Sequence, residues 1–141
     1  MTRLTFCFIL FLSLAGIGSL YSQSIVSLQS GKNTSIRGLS VMDNSVAWIS
    51  GSNGWTAFTV DGGKSWTWPL SNPFGYRSAI EYFSQKQILT TGTSGTDLSV
   101  NSDKTWINLS KDGYHTVRKA KSGSWVILTG NNGRISELQI K

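Results

Sequence analysis

The chain has 141 residues, a formal net charge of +6 from thirteen Lys/Arg against seven Asp/Glu, six tryptophans, one histidine and one cysteine. So little His and Cys excludes a clustered metal site and a disulfide-stapled scaffold, and neither cofactor nor metal is expected. The basic excess is mild and has no long Lys/Arg run or nucleic-acid motif beside it, so no DNA or RNA partner is expected.

Residues 1–22 read as a secretory signal peptide. Arg3 supplies a short basic start, Phe6 to Ile17 is an almost unbroken apolar run, and Gly18, Ser19 and Ser22 are small residues near a cleavage point. Cleavage is expected after Ser22, with an uncleaved anchor as the competing reading. Cys7 lies inside the apolar run and not at a lipoprotein junction. The mature chain, residues 23–141, then has no cysteine and no membrane span, and is secreted or periplasmic.

Residues 24–29 alternate apolar and polar side chains, as a short half-buried strand does. Three similar units follow, at 36–70, 76–110 and 114–141. Each opens with a strand-like stretch beginning at Ile36, Tyr76 or Tyr114. Each continues through a polar turn into a β-rich run (Val46–Ile49, Gln87–Thr90, Trp125–Leu128) and then a Gly-x-x-Gly loop. Tyr76 to Gly92 and Tyr114 to Gly130 are both sixteen residues, and Ile36 to Gly51 is fifteen. No stretch shows helical periodicity over three turns, so the chain reads as all-β.

Within the first two units lies the most distinctive pattern. Thr59-Val60-Asp61-Gly62-Gly63-Lys64-Ser65-Trp66 returns forty residues later as Ser99-Val100-Asn101-Ser102-Asp103-Lys104-Thr105-Trp106. An acid that accepts hydrogen bonds from its own turn, two glycines suited to positive φ and a closing Trp describe a tight strand–turn–strand. A period near forty with four short strands per unit is the signature of β-propeller blades.

These stretches resemble the Asp-box (BNR) repeat, with Thr59, Asp61, Gly63, Ser65 and Trp66 in one copy and Ser99, Asn101, Thr105 and Trp106 in the other. Together with Ser35–Val41, Val46–Gly54 and Gly113–Lys121, they make the mature chain similar to exported propellers related to the photosystem II assembly and stability factor. The resemblance implies about three four-stranded blades, with strand 24–29 completing the last one. Relatives of this type are more than twice as long, and the first unit resembles their opening blade while the other two resemble their closing blades, with the junction near 68–75. Three blades are too few for a closed ring of the usual four to eight. An incomplete product, a ring assembled from several chains as a homo-oligomer, or an open arc are the alternatives. Such relatives often carry the label oxidoreductase, which no dinucleotide motif or redox-metal ligand set here supports.

In a propeller the first strand of each blade lines the central channel. Arg37, Arg77 and His115 hold similar places in their units, so they are candidates for a cationic ring facing carboxylate or phosphate. The competing reading makes them structural ties between neighbouring blades. Trp66 and Trp106 repeat and are expected in the core. Trp55 and Trp68 have no counterpart in the second unit, which marks them as candidate exposed contacts. The expected function is non-catalytic binding of a protein or glycan. The alternative is a sialidase-like glycosidase, for which only Glu81 lies on an expected inner strand, although such hydrolysis needs two carboxylates.

Overall fold

The computed structural model describes residues 23–69, 71–84 and 86–139. The signal segment at 1–22, the unit boundary at residue 70 and the last two residues lie outside the described residues.

Among the described residues, ten strands form three antiparallel sheets in sequence order. The first contains β1 (Ile36–Val41), β2 (Ala47–Gly51) and β3 (Thr56–Thr59). The second contains β4 (Ala79–Ser84), β5 (Gln87–Gly92), β6 (Gly95–Ser99) and β7 (Ile107–Ser110). The third contains β8 (Thr116–Lys119), β9 (Val126–Thr129) and β10 (Ile135–Glu137). All three are meanders whose first strands β1, β4 and β8 lie side by side.

Only the second sheet has four strands among the described residues. In the first, the chain returns after its turn to make a single bridge, Phe58 to Thr67. Trp68-Pro69 follows, and a proline has no N–H to extend the ladder. In the third sheet, residues 24–29 do not supply a fourth strand. They form no strand at all, and Ile25 is fully exposed. Leu28 instead leans on Gly63 in the first sheet. The third sheet lies beyond the second, so this segment stays with the sheet it precedes.

The core sits between sheets rather than within them. Alternation along the strands sends Ile80 and Ile88 towards the first sheet, where they join Trp48 and Trp106. It sends Ala79 and Leu89 the other way, into a cluster with Tyr114, Val117, Val126 and Leu128 of the third unit. Trp48 packs on Phe58 at 4.7 Å and stacks on Tyr82 at 6.3 Å. One polar tie repeats at both seams. The Tyr82 amide donates to Ser40 Oγ at 3.2 Å, and the Lys119 amide donates to Glu81 Oε1 at 3.1 Å. Gly38 allows the first approach, because a Cβ there would collide with Ser50 Oγ and meet the backbone of Ala79 and Ile80.

The two turn copies match bond by bond. Gly63 N–H donates to Thr59 Oγ1 and Asp103 N–H to Ser99 Oγ, both at 2.9 Å. Ser65 N–H donates to Asp61 Oδ1 and Thr105 N–H to Asn101 Oδ1, again at 2.9 Å in each. Gly62 and Gly63 have φ of 73° and 83°, and Ser102 and Asp103 repeat that left-handed pair at 60° and 69°. Asp61 also accepts from Ser65 Oγ and Thr59 Oγ1, and these bonds hold its carboxyl down at about 2.

The buried amide of each turn is therefore satisfied by the hydroxyl that opens the motif, while Asp61 and Asn101 accept from the exposed amides of Ser65 and Thr105. Thr59→Val should cost about 1–3 kcal/mol by orphaning the Gly63 N–H. Asp61→Ala should cost less, and chemical denaturation ranking the two the other way would contradict this division of roles.

Candidate functional site

The register of the sheets separates two ends. One holds the hairpins at 42–46 and 84–87 and the two motif turns, since Gly62 N–H donates to Ser45 O and Ser102 N–H to Lys86 O. The other holds the loops 51–55, 92–95, 110–115 and 129–134, together with residues 71–78. The candidate binding residues Arg37, Trp55, Trp68, Arg77 and His115 fall at or beside this second end, called here the loop end, whereas the motif residues fall at the first.

Trp55 and Trp68 meet edge to face at 5.6 Å, both part-exposed. The Lys32 ammonium lies 4.6 Å from the Trp55 ring and 5.6 Å from Trp68. The turn Ser52-Asn53-Gly54, with Asn53 and Gly54 at positive φ, lifts Trp55 into place. The third sheet repeats that turn as Asn131-Asn132-Gly133, which presents Arg134 at the place of Trp55. Arg134 lines a polar pocket of about 270 Å³ with Thr93, Lys111, Asp112, Gly113, His115 and Asn131. Its Nη1 lies 3.4 Å from Asp112 Oδ1 and donates to Gly113 O, and the guanidinium lies 5.8 Å from the Tyr114 ring. A part-exposed indole pair and a cationic hollow thus share one end.

Arg37, Arg77 and His115 do not form a ring of exposed cations. Arg37 is exposed on β1 and His115 is exposed just before β8, in the polar pocket. Arg77 precedes β4 and is wholly buried. Its Nε donates to Asp97 Oδ2 at 2.8 Å, and Nη2 lies 2.6 Å from the same oxygen. Nη1 donates to Ser94 Oγ and Tyr76 O. Asp97, equally buried, also accepts from Phe74 N–H and Asn108 Nδ2. A buried acid across the sheet draws Arg77 inward, and the pair clamps the 74–77 loop to β6 and β7.

Trp106 is buried between the first two sheets, as expected, but Trp66 is only half-buried, on the outer face of the first sheet. Glu81 lies on β4, where Oε1 holds Lys119 N–H and Oε2 lies 3.5 Å from Arg118 Nη1. Partial burial raises its pKa, opposed by the Lys119 amide and the Arg118 charge. Its oxygens thus tie two sheets. Among the described residues, no three His, Cys, Asp or Glu are grouped to hold a metal, and no helix is long and apolar enough to cross a membrane.

One group was missed in the sequence. Asp103 is fully buried, with Thr56 Oγ1 of the first sheet donating to its two oxygens at 3.2 and 3.4 Å. Burial pushes its pKa up to about 7, against the pull of Thr56 and the nearby Trp106 indole, whose N–H makes no hydrogen bond of good geometry. An acid standing where the first copy has Gly63 was the available signal.

No protein-family model and no curated protein matches the sequence. Among solved structures, that of "YCF48 bound to D1 peptide" aligns with a TM-score of 0.57 at 18% identity, over 83% of this chain and 40% of that one. The fold is of the β-propeller type. The three sheets are consecutive blades of it, and the chain spans less than half the length of that neighbour.

Proposed function

We propose that this chain is an exported, non-catalytic binding protein of the Asp-box propeller kind, which holds a segment of another protein on the loop end of its blades. The observation that carries this reading is the part-exposed Trp55–Trp68 pair at the same end as the cationic hollow of Lys111, His115 and Arg134. Indole faces supply apolar area at low entropic cost, and Arg134 can meet a carboxylate. An extended acidic peptide with an apolar or aromatic anchor fits both. The D1 peptide bound in the neighbouring YCF48 structure is consistent with a protein segment as the partner. The two near-identical turn networks support the Asp-box assignment. Export rests on the reading of residues 1–22, and amino-terminal sequencing of the exported chain checks it.

Peptide display against the immobilised chain, followed by calorimetry with the selected peptides, tests the reading. Trp55→Ala with Trp68→Ala should weaken binding at least about tenfold, and Arg134→Gln should weaken acidic peptides selectively. Peptide affinities untouched by all three substitutions would overturn the proposal, as would capture of glycans alone on a glycan array.

A further inference from the structure

The Gly-x-x-Gly loops of the first and third units both end in an Asn-Gly pair, Asn53-Gly54 and Asn132-Gly133, and the chain has no other. Each pair occupies the middle of the same tight turn. Trp55 N–H donates to Ser52 O at 3.3 Å, and Arg134 N–H to Asn131 O at 3.0 Å. The left-handed φ angles are 59° and 69° in the first blade and 53° and 71° in the third. This is the turn that Asn-Gly favours in a hairpin. The surroundings differ. Gly54 is buried, and a Cβ there would stand 2.8 Å from the carbonyl oxygens of both Pro73 and Gly75. Ser52 N–H also donates to Ser35 O at 3.0 Å, which ties that turn to the segment before β1. Around Gly133 a Cβ would meet nothing within 4 Å, and residues 131–134 are all exposed.

An Asn followed by Gly carries its own electrophile and nucleophile. The deprotonated Gly nitrogen closes on the Asn Cγ, unhindered because glycine has no Cβ. A bond forms from that nitrogen to Cγ, the Cγ–Nδ2 bond breaks, and ammonia leaves. Water then opens the cyclic imide at one of its two carbonyl carbons, giving aspartate or its β-linked isomer. Nothing is oxidised or reduced, and water is the only co-reactant. Ring closure requires the turn to open, since the peptide must rotate towards the side chain. A hairpin tip with exposed backbone bonds opens at low cost, whereas a turn packed under a loop does not. The first blade's pair is therefore protected and the third blade's is not.

We propose that Asn132 is a site of spontaneous modification by water, which replaces its amide with a carboxylate at the edge of the cationic hollow. Lys111, His115 and Arg134 line that hollow with Asp112, and Asn131, next to Asn132, lines it too. A second acid beside Arg134 competes for its guanidinium and lowers the local positive charge. The loop end thus loses its hold on acidic segments as the chain ages, and no step within the chain reverses the change. The loss of binding rests on the role proposed above; the modification does not.

Incubating the exported chain in mildly alkaline buffer, with proteolytic mapping by mass spectrometry, tests the site without any ligand. Asn132 should convert to aspartate and its β-linked isomer at least about tenfold faster than Asn53. Asn132→Gln, whose longer side chain closes the ring far more slowly, should remove the new acidic species. An Asn132 that stays intact, or an Asn53 that converts as fast, would overturn the proposal. Calorimetry then reads the consequence. Asn132→Asp, which tolerates the left-handed backbone, should weaken acidic peptides at least about threefold at low salt and leave neutral ones unchanged. Equal affinity of parent and Asn132→Asp for an acidic peptide would overturn the loss of binding. A parent that holds no acidic peptide would overturn the binding role itself, and with it that loss, while the mass map still decides the modification.

Discussion

Arg77→Met is expected to destabilise the fold by about 3–5 kcal/mol, because it strands a buried carboxylate without its cation. Asp97 is fully buried and would keep only the Phe74 amide and the Asn108 side chain. A loss of that size approaches the total stability of many small domains, roughly 5–15 kcal/mol. The double variant Arg77→Met with Asp97→Leu should be more stable than the single one, since replacing both charges removes the unpaired group. Urea denaturation of the two variants measures the difference. If the single variant folds normally and loses only ligand binding, Arg77 is a recognition residue and its assignment as a clamp fails.

Asp103→Asn is expected to stabilise the protein at pH 8 and to change little at pH 4. The carboxyl has a folded pKa of about 7 against an ordinary value of 3.8. The native state therefore binds this proton more tightly than the unfolded chain does, and stability falls as pH rises from about 4 to about 7. Above that range the full penalty remains, on the order of 2–4 kcal/mol. Asparagine keeps the hydrogen-bonding shape and tolerates the left-handed backbone at φ 69°. Denaturation midpoints between pH 4 and pH 8 should thus drop in the parent across this window and stay flatter in the variant. Parallel curves would show that Asp103 does not titrate there.

The periodic features of this fold were legible along the chain because they repeat. The forty-residue return of the Trp66 motif, the extent of β1 and the all-β character follow from local patterns of turn residues and alternation. Trp55 and Trp68 stood out for the opposite reason, since nothing in the second unit repeats them, and the structure brings them together. Arg77 was misplaced because its environment depends on Asp97, twenty residues away on a strand that reads locally as polar. Residues 24–29 alternate like a strand, but alternation shows that a segment can pair and not that an edge lies within reach. Asp103 escaped notice because its burial comes from Thr56 of the preceding blade, a contact that no window of sequence around residue 103 contains.

The central claim is that the loop end, and not the motif-turn end, receives a protein segment. Hydrogen–deuterium exchange of the chain with and without a selected acidic peptide tests it most directly. Slowed exchange is expected at 51–55, 93–95, 111–115 and 130–134, with the turns at 42–46, 59–66 and 99–105 unchanged. Protection confined to those turns, with the loop end unaffected, would contradict it.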